Sequence, residues 1–116
     1  MSSIFSPICL FVYNRPEETY KTITALNDNF LASKSNLFVF SDGSKNKDDL
    51  NNVLEVRKYL RKIKGFKSVK IFESKKNKGL ADSIIYGVSQ VLKDHKSVIV
   101  LEDDLITSRN FLDFMN

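Results

Sequence analysis

A disulfide within these 116 residues is excluded, because they hold a single cysteine. Cys9 lies inside an apolar run, where a lone thiol packs as a small hydrophobe and implies a reducing compartment. Long hydrophobic stretches are missing too: the run from Ile8 to Tyr13 falls far short of the roughly 20 residues that cross a bilayer. The opening residues Met1 to Pro7 carry no basic segment of the kind that begins a secretory leader. Together these shortages lead to the expectation of a cytoplasmic protein. Repeats, low-complexity tracts and linkers are also lacking, so the length fits one domain able to bury roughly 65% of its unfolded surface.

Histidine is as scarce as cysteine. The lone His95 lies near the end of a helical pattern, away from every motif, and is expected at the surface. Charge is less scarce but uneven. The net charge is +4, and between Arg57 and Lys78 ten basic residues stand against Glu73 alone. Such a stretch fits a solvated helix face and loop, or a peripheral contact with an anionic membrane. Nucleic acid is disfavoured, because only Tyr59, Phe66 and Phe72 are interleaved for base stacking.

Four apolar runs, Ile8 to Tyr13, Leu37 to Ser41, Val69 to Glu73 and Val98 to Leu101, alternate with helical patterns. Continuous apolar strands of this kind belong to a parallel sheet covered on both faces. The first helix opens on Pro16, with Glu17 and Glu18 in its first turn and Thr19, Ile23, Leu26 and Phe30 on one side. Asp48 and Asp49 open the second, whose apolar positions are Leu50, Val53, Leu54, Leu60 and Ile63, with Gly65 as its stop. The third starts after Gly79 and carries Leu80, Ile84, Val88, Val91 and Leu92; its interior Gly87 suggests close packing or is merely tolerated. Right-handed crossovers then give a Rossmann-like open parallel sheet of order 3-2-1-4 with helices on both faces.

Ligands of such sheets bind where the strands end. The four exits read Tyr13-Asn14-Arg15-Pro16-Glu17, Ser41-Asp42-Gly43-Ser44, the stretch Ser74 to Gly79, and Glu102-Asp103-Asp104. Each carries polar groups suited to a nucleotide, although Ser41 to Ser44 alone is also an ordinary turn. The acidic triplet is more telling. Adjacent carboxylates at a buried strand end repel one another unless solvent or a cation relieves them, and a divalent ion bridging a diphosphate needs only one or two of them.

The segment Val98 to Phe114, with its Glu102-Asp103-Asp104-Leu105 core, resembles the D-x-D segment of GT-A-fold glycosyltransferases, in particular the N-acetylglucosaminyltransferase I group. Tyr13 to Glu17 is similar to the first-strand exit of that group and of the inverting family-2 enzymes, and Ser41 to Ser44 resembles their nucleotide-binding turn. The resemblance implies the N-terminal half of a GT-A fold and metal-dependent binding of a nucleoside-diphosphate sugar, a UDP-sugar by likeness. Inverting transfer of a hexosyl or N-acetylhexosaminyl group to a hydroxyl of a carbohydrate or glycolipid acceptor would follow. It assigns Asp104 to Mn²⁺ or Mg²⁺, Glu102 and Asp103 to the ribose, sugar and metal-bound water, Asp42 to the base and Arg15 to the nucleotide, with Tyr13 beside it. Where the resembled group has a histidine early in the third helix, this chain has Ser83.

In similar enzymes the catalytic base and acceptor platform follow the acidic strand, so the resemblance implies a base beyond Asn116. Residues 1–116 are therefore expected to form one nucleotide-sugar-binding domain, truncated at its C-terminus and inactive alone, that self-associates through the fourth strand as an exposed edge. Two other classes stay in view. A noncatalytic nucleotide-sugar-binding module would show the same motifs, whereas a receiver-like signalling domain would want acids at the first exit, where Arg15 stands. A sugar-phosphate nucleotidyltransferase would want a glycine-rich loop there.

Overall fold

The computed structural model describes residues 6–29 and 31–103. Four strands, β1 (Ile8–Val12), β2 (Asn36–Ser41), β3 (Ser68–Glu73) and β4 (Ile99–Glu102), alternate with helices α1 (Pro16–Asn27), α2 (Lys47–Leu60) and α3 (Leu80–Leu92). A single 3-10 turn over Ala32–Lys34 precedes β2. All pairings are parallel and the order is β3-β2-β1-β4, as the alternation of runs predicts. In register, Ile8 faces Leu37 on one side and Ile99 on the other.

β1 is buried along its whole length because its two faces feed two cores. Ile8, Leu10 and Val12 pack with Ile23 and Leu26 of α1 and Val56 and Leu60 of α2. Cys9 and Phe11 point the other way, into a smaller cluster with Phe40 and with Val91 of α3. That split follows from the period of two along a strand. It also places α1 and α2 on one face and α3 on the other, so the winding reverses between β1 and β4.

Each helix start has a local cause. Pro16 and two glutamates open α1, whereas α2 is opened by a capping box: Asn46 accepts from the Asp48 amide, and Asp49 accepts from the Asn46 amide. Asn46 is a cap that the apolar periodicity leaves unmarked. Several expected core positions prove to be outside. Leu50, Leu54, Leu80 and Leu92 are exposed, and the buried stripe of α2 is Val53, Val56 and Leu60. Val53, Val56 and Leu60 stand at i, i+3 and i+7 and so share one stripe of the helix, from which Leu54 is turned away. α1 ends at Asn27, and Phe30, expected on its apolar side, lies outside the described residues. α2 ends at Leu60, not near Gly65; a turn through Ile63 completes it. β3 is half-exposed on an edge instead of covered on both faces.

Gly87 resolves in favour of close packing. A Cβ there would lie 2.8 Å from Cε1 of Phe11 and 3.0 Å from Cδ2 of Phe40. The helix backbone thus rests on two stacked rings, whose centroids are 5.2 Å apart. His95 is also corrected: it is half-buried, its Nδ1 3.1 Å from the Val91 carbonyl oxygen and its ring edge-on to Phe38. The Val91 carbonyl at the end of α3 also accepts from the Asp94 amide at 3.2 Å, so the imidazole joins an existing C-terminal cap.

Candidate functional site

The carboxyl ends of β1, β2 and β4, with the loop that leads from β3 into α3, line one cleft of about 450 Å³. Tyr13, Arg15, Asp42, Ser83, Glu102 and Asp103 all line it, joined by Asn14, Lys45, Asn77, Gly79 and Leu80. Six of the seven residues expected at a nucleotide-sugar site are therefore brought together by the sheet. The seventh, Asp104, lies outside the described residues. So does the catalytic base expected beyond Asn116.

Register explains the convergence. Val12 stands opposite Ser41 and Phe11 opposite Glu102, and the ladder continues one step past the strands through Asp42 N to Val12 O at 3.0 Å and Ser74 N to Ser41 O at 2.9 Å. Polar residues that directly follow each strand are thereby held at one level. Tyr13 is anchored on the first exit: its hydroxyl donates to the Asp49 carboxylate, which also accepts from the Lys45 amide at 3.1 Å. Desolvation, and then the Asp49 carboxylate, push the Tyr13 phenol up to about 12. The same hydrogen bond holds the Asp49 carboxyl below the usual carboxylate range.

Asp42 accepts four hydrogen bonds, and it is 7% exposed. One oxygen, Oδ1, accepts from the amides of Gly43 at 2.9 Å and Lys78 at 2.8 Å. The other, Oδ2, accepts from the Gly79 amide at 3.0 Å and from Asn77 Nδ2 at 3.2 Å. Gly43 is required beneath it, because a Cβ there would sit 2.7 Å from the Lys76 carbonyl carbon. Gly79, at φ +83°, turns the same loop into α3.

Two residues the sequence left unmarked as site components hold this arrangement. Arg57, counted among the basic residues of the surface, is 15% exposed. Its Nη2 donates to the carbonyl oxygens of Ser41, Asp42 and Ser74, and its Nε to the Ser41 hydroxyl. Arg61 forks onto Glu73 at 3.0 and 3.3 Å, so the basic stretch is partly internal structure. On the far side, the Thr22 hydroxyl of α1 donates to the Asp103 carbonyl oxygen at 2.8 Å. Neither partner was signalled by spacing; Thr22 falls beside the expected apolar stripe, and Arg57 within a run of charges.

Hard oxygen donors at the end of β4 suit Mg²⁺ or Mn²⁺. Glu102 and Asp103, beside the expected ligand Asp104, are carboxylates of the kind such an ion would take together with a diphosphate, so the donor chemistry fits. Among the described residues no group of three acidic, histidine or cysteine side chains forms a complete metal cage.

Helices on both sides of a parallel sheet, with the polar groups gathered where strand order reverses, give a doubly wound α/β domain whose ligand crevice lies at the strand exits. The β3-β2-β1-β4 sheet corresponds to the Rossmann-like N-terminal part of a GT-A fold. The family model described as Glycosyl transferase family 2 matches residues 8–113, and the chain belongs to that family. No curated protein matches the chain. Its partners, in general terms, are a nucleotide-sugar donor and an acceptor.

Proposed function

We propose that this domain binds a UDP-sugar in the cleft at the strand exits, with Mn²⁺ or Mg²⁺, for inverting transfer of a hexosyl or N-acetylhexosaminyl group to a carbohydrate or glycolipid hydroxyl. The observation that carries this reading is the convergence of Tyr13, Arg15, Asp42, Ser83, Glu102 and Asp103 on one cavity. When bound, the metal supplies positive charge to the departing diphosphate. Asp104, with Glu102 or Asp103, would hold it. Arg15 offers a guanidinium for a phosphate or ribose oxygen on the β1 side. Thr22 fixes the backbone of Asp103, so the acidic strand end is set before the donor arrives. Asp42 and the Asn77–Gly79 loop form the β2–β3 corner, where the base would lie.

The domain works in the cytoplasm, and its exposed lysines, Lys62, Lys67 and Lys75 among them, favour peripheral contact with an anionic membrane surface. β4 is an edge of the sheet among the described residues, with Val100 39% exposed; association of copies along it would be seen as concentration-dependent sedimentation. A monomer at every concentration removes that part.

Calorimetry with UDP tests the main reading. Binding is expected with MnCl₂, weakened at least about tenfold by EDTA or by Asp104→Asn, and weakened by Arg15→Ala. Absence of binding by UDP, GDP and dTDP alike overturns it. Binding that ignores both metal and Asp104→Asn removes the metal from the proposal. A donor-turnover assay separates an enzyme from a noncatalytic binding module.

A further inference from the structure

The basic stretch from Arg57 to Lys78 folds along a single edge of the sheet, because it runs from the end of α2 through β3 to the loop before α3. Its two arginines are tied into the fold, with Arg61 3.0 Å and Arg57 4.0 Å from the Glu73 carboxylate. Glu73 is the one acid of the stretch, so nothing within it is left to balance the lysines. Every lysine from Lys58 to Lys78 is exposed, and none forms a salt bridge among the described residues. The next carboxylate along the chain is Asp82, one helical turn before Tyr86.

Lysine on an edge strand also blocks pairing with another sheet, and that role is enough for Lys70. It does not explain the two rings beside it. Phe72 follows Lys70 on the same face of β3 and stacks on Phe40 with centroids 4.8 Å apart, yet it stays 38% exposed. Tyr86 of α3 meets Phe40 edge-on, stays 43% exposed and has Lys78 Nζ 3.7 Å from its ring centroid. Phe72, Ser74, Lys78 and Tyr86 line one groove of about 330 Å³. Rings held firm from beneath, with ammonium groups beside them, suit the headgroup level of an anionic bilayer, where rings meet acyl chains and ammonium groups meet phosphates. Nucleic acid fits less well: a stacked base needs a free ring face, and Lys78 already lies over Tyr86 while Phe40 backs Phe72.

We propose that the β3 edge is the face by which the domain lies on an anionic lipid surface, with Phe72 and Tyr86 entering the headgroup layer and Lys70, Lys75 and Lys76 against the lipid phosphates. This deepens the peripheral-membrane part of the reading above and rests on that part alone. An edge strand lying on the surface runs along it, so the cleft at the strand exits opens sideways over the lipid. The β3–α3 loop belongs to both, since Asn77 and Gly79 line the cleft while Lys78 lines the groove.

The test is flotation of the wild-type chain with vesicles of phosphatidylcholine alone or with about one-third phosphatidylserine, at low and high salt. Binding to the anionic vesicles is expected to be at least about tenfold tighter and to fade with salt. The combined variant Lys70→Gln, Lys75→Gln, Lys76→Gln should lose at least about tenfold of that affinity. Lys21→Gln, Lys47→Gln, Lys96→Gln removes the same charge from exposed positions elsewhere and should lose no more than about twofold. Equal losses from the two variants would leave a membrane-binding protein with no preferred face, and the β3 edge would be wrong. The chain has no tryptophan, so a single introduced indole reports its own surroundings. Phe72→Trp should shift its emission to the blue on anionic vesicles and be quenched by brominated acyl chains, whereas Tyr20→Trp, exposed on α1, should show neither. Vesicle binding without any change at position 72 removes the rings from the contact and defeats the proposal. Tighter binding of polyuridylate than of anionic vesicles would make the edge a nucleic-acid face instead. If no vesicle binds at all, the peripheral-membrane reading itself fails, and this inference with it.

Discussion

Arg57 Nη2 donates to the Ser74 carbonyl oxygen at 2.7 Å, from a helix on one face of the sheet to a loop at its edge. The same nitrogen reaches Ser41 and Asp42, so a single guanidinium ties the ends of β2 and β3 together. Strand ends carry carbonyls that have run out of ladder partners, and a buried one without a donor is costly. Arg57 supplies a donor to the carbonyls of Asp42 and Ser74 and a second one to that of Ser41, which the Ser74 amide already reaches, and thereby sets the corner on which Asp42 stands.

Replacing Arg57 by alanine is expected to cost about 2–4 kcal/mol in urea unfolding, the range for a partly buried charged hydrogen-bonding group. Arg57→Lys should recover less than half of that loss, because an ammonium lacks the planar fork that spans Ser41 and Ser74. Equal stability of the lysine variant and the wild type would show that charge alone matters there.

Gly87→Ala inserts a methyl group 2.8 Å from Phe11 and 3.0 Å from Phe40. Overpacking costs about 1–3 kcal/mol, and two rings stacked between helix and sheet have little room to step aside. The cost should therefore exceed the roughly 1 kcal/mol that alanine otherwise gains over glycine in a helix interior, and a thermal melt should fall. A rise would mean that α3 can lift off the rings without loss.

Thr22→Val keeps the shape of the side chain and deletes the donor to Asp103. The stability loss should be about 1 kcal/mol. A larger effect is expected on metal-dependent UDP affinity, measured by calorimetry, because the acidic strand end loses its tether. Unchanged affinity would confine Thr22 to packing.

Alkaline pH acts through two acids. Burial pushes the Cys9 thiol from 9.0 up to about 12, and desolvation with the Asp49 carboxylate pushes the Tyr13 phenol from 10.0 up to about 12. In both cases the unfolded chain loses its proton first, so the stability these groups contribute is complete below pH 9 and is lost as pH rises toward 12. Absorbance at about 295 nm, where phenolate absorbs, should show one of the four tyrosines ionising late, and Tyr13→Phe should remove that step. Asp49 acts at the opposite end: its lowered pKa stabilises the fold above the ordinary carboxylate range, and that contribution fades as pH falls through the folded value. The Cys9 thiol should not react with iodoacetamide near neutral pH until the chain is denatured.

Much of the site was legible because it follows strands directly. Arg15, Asp42 and Glu102 could be placed from the sequence by counting from the end of an apolar run, and register then carried them to one cavity. The apolar stripes of the helices were less legible. Leu50 and Leu54 look like core residues by composition, yet Val56 is buried in their place, because the stripe shared by Val53, Val56 and Leu60 is the one that α2 turns to the sheet.

The chain's own order of strands, helices and polar exits determined the doubly wound class and the end of the sheet where chemistry collects, since side-chain periods and turn residues act over a few neighbouring positions. Tertiary structure alone decided what those exits do. It made Arg57 a clamp instead of a surface charge, filled the Asp42 carboxylate with loop donors, and joined Thr22 to Asp103 across 81 positions. Hydrogen bonds between residues so far apart depend on where the sheet brings backbone ends together, and no local spacing encodes that meeting.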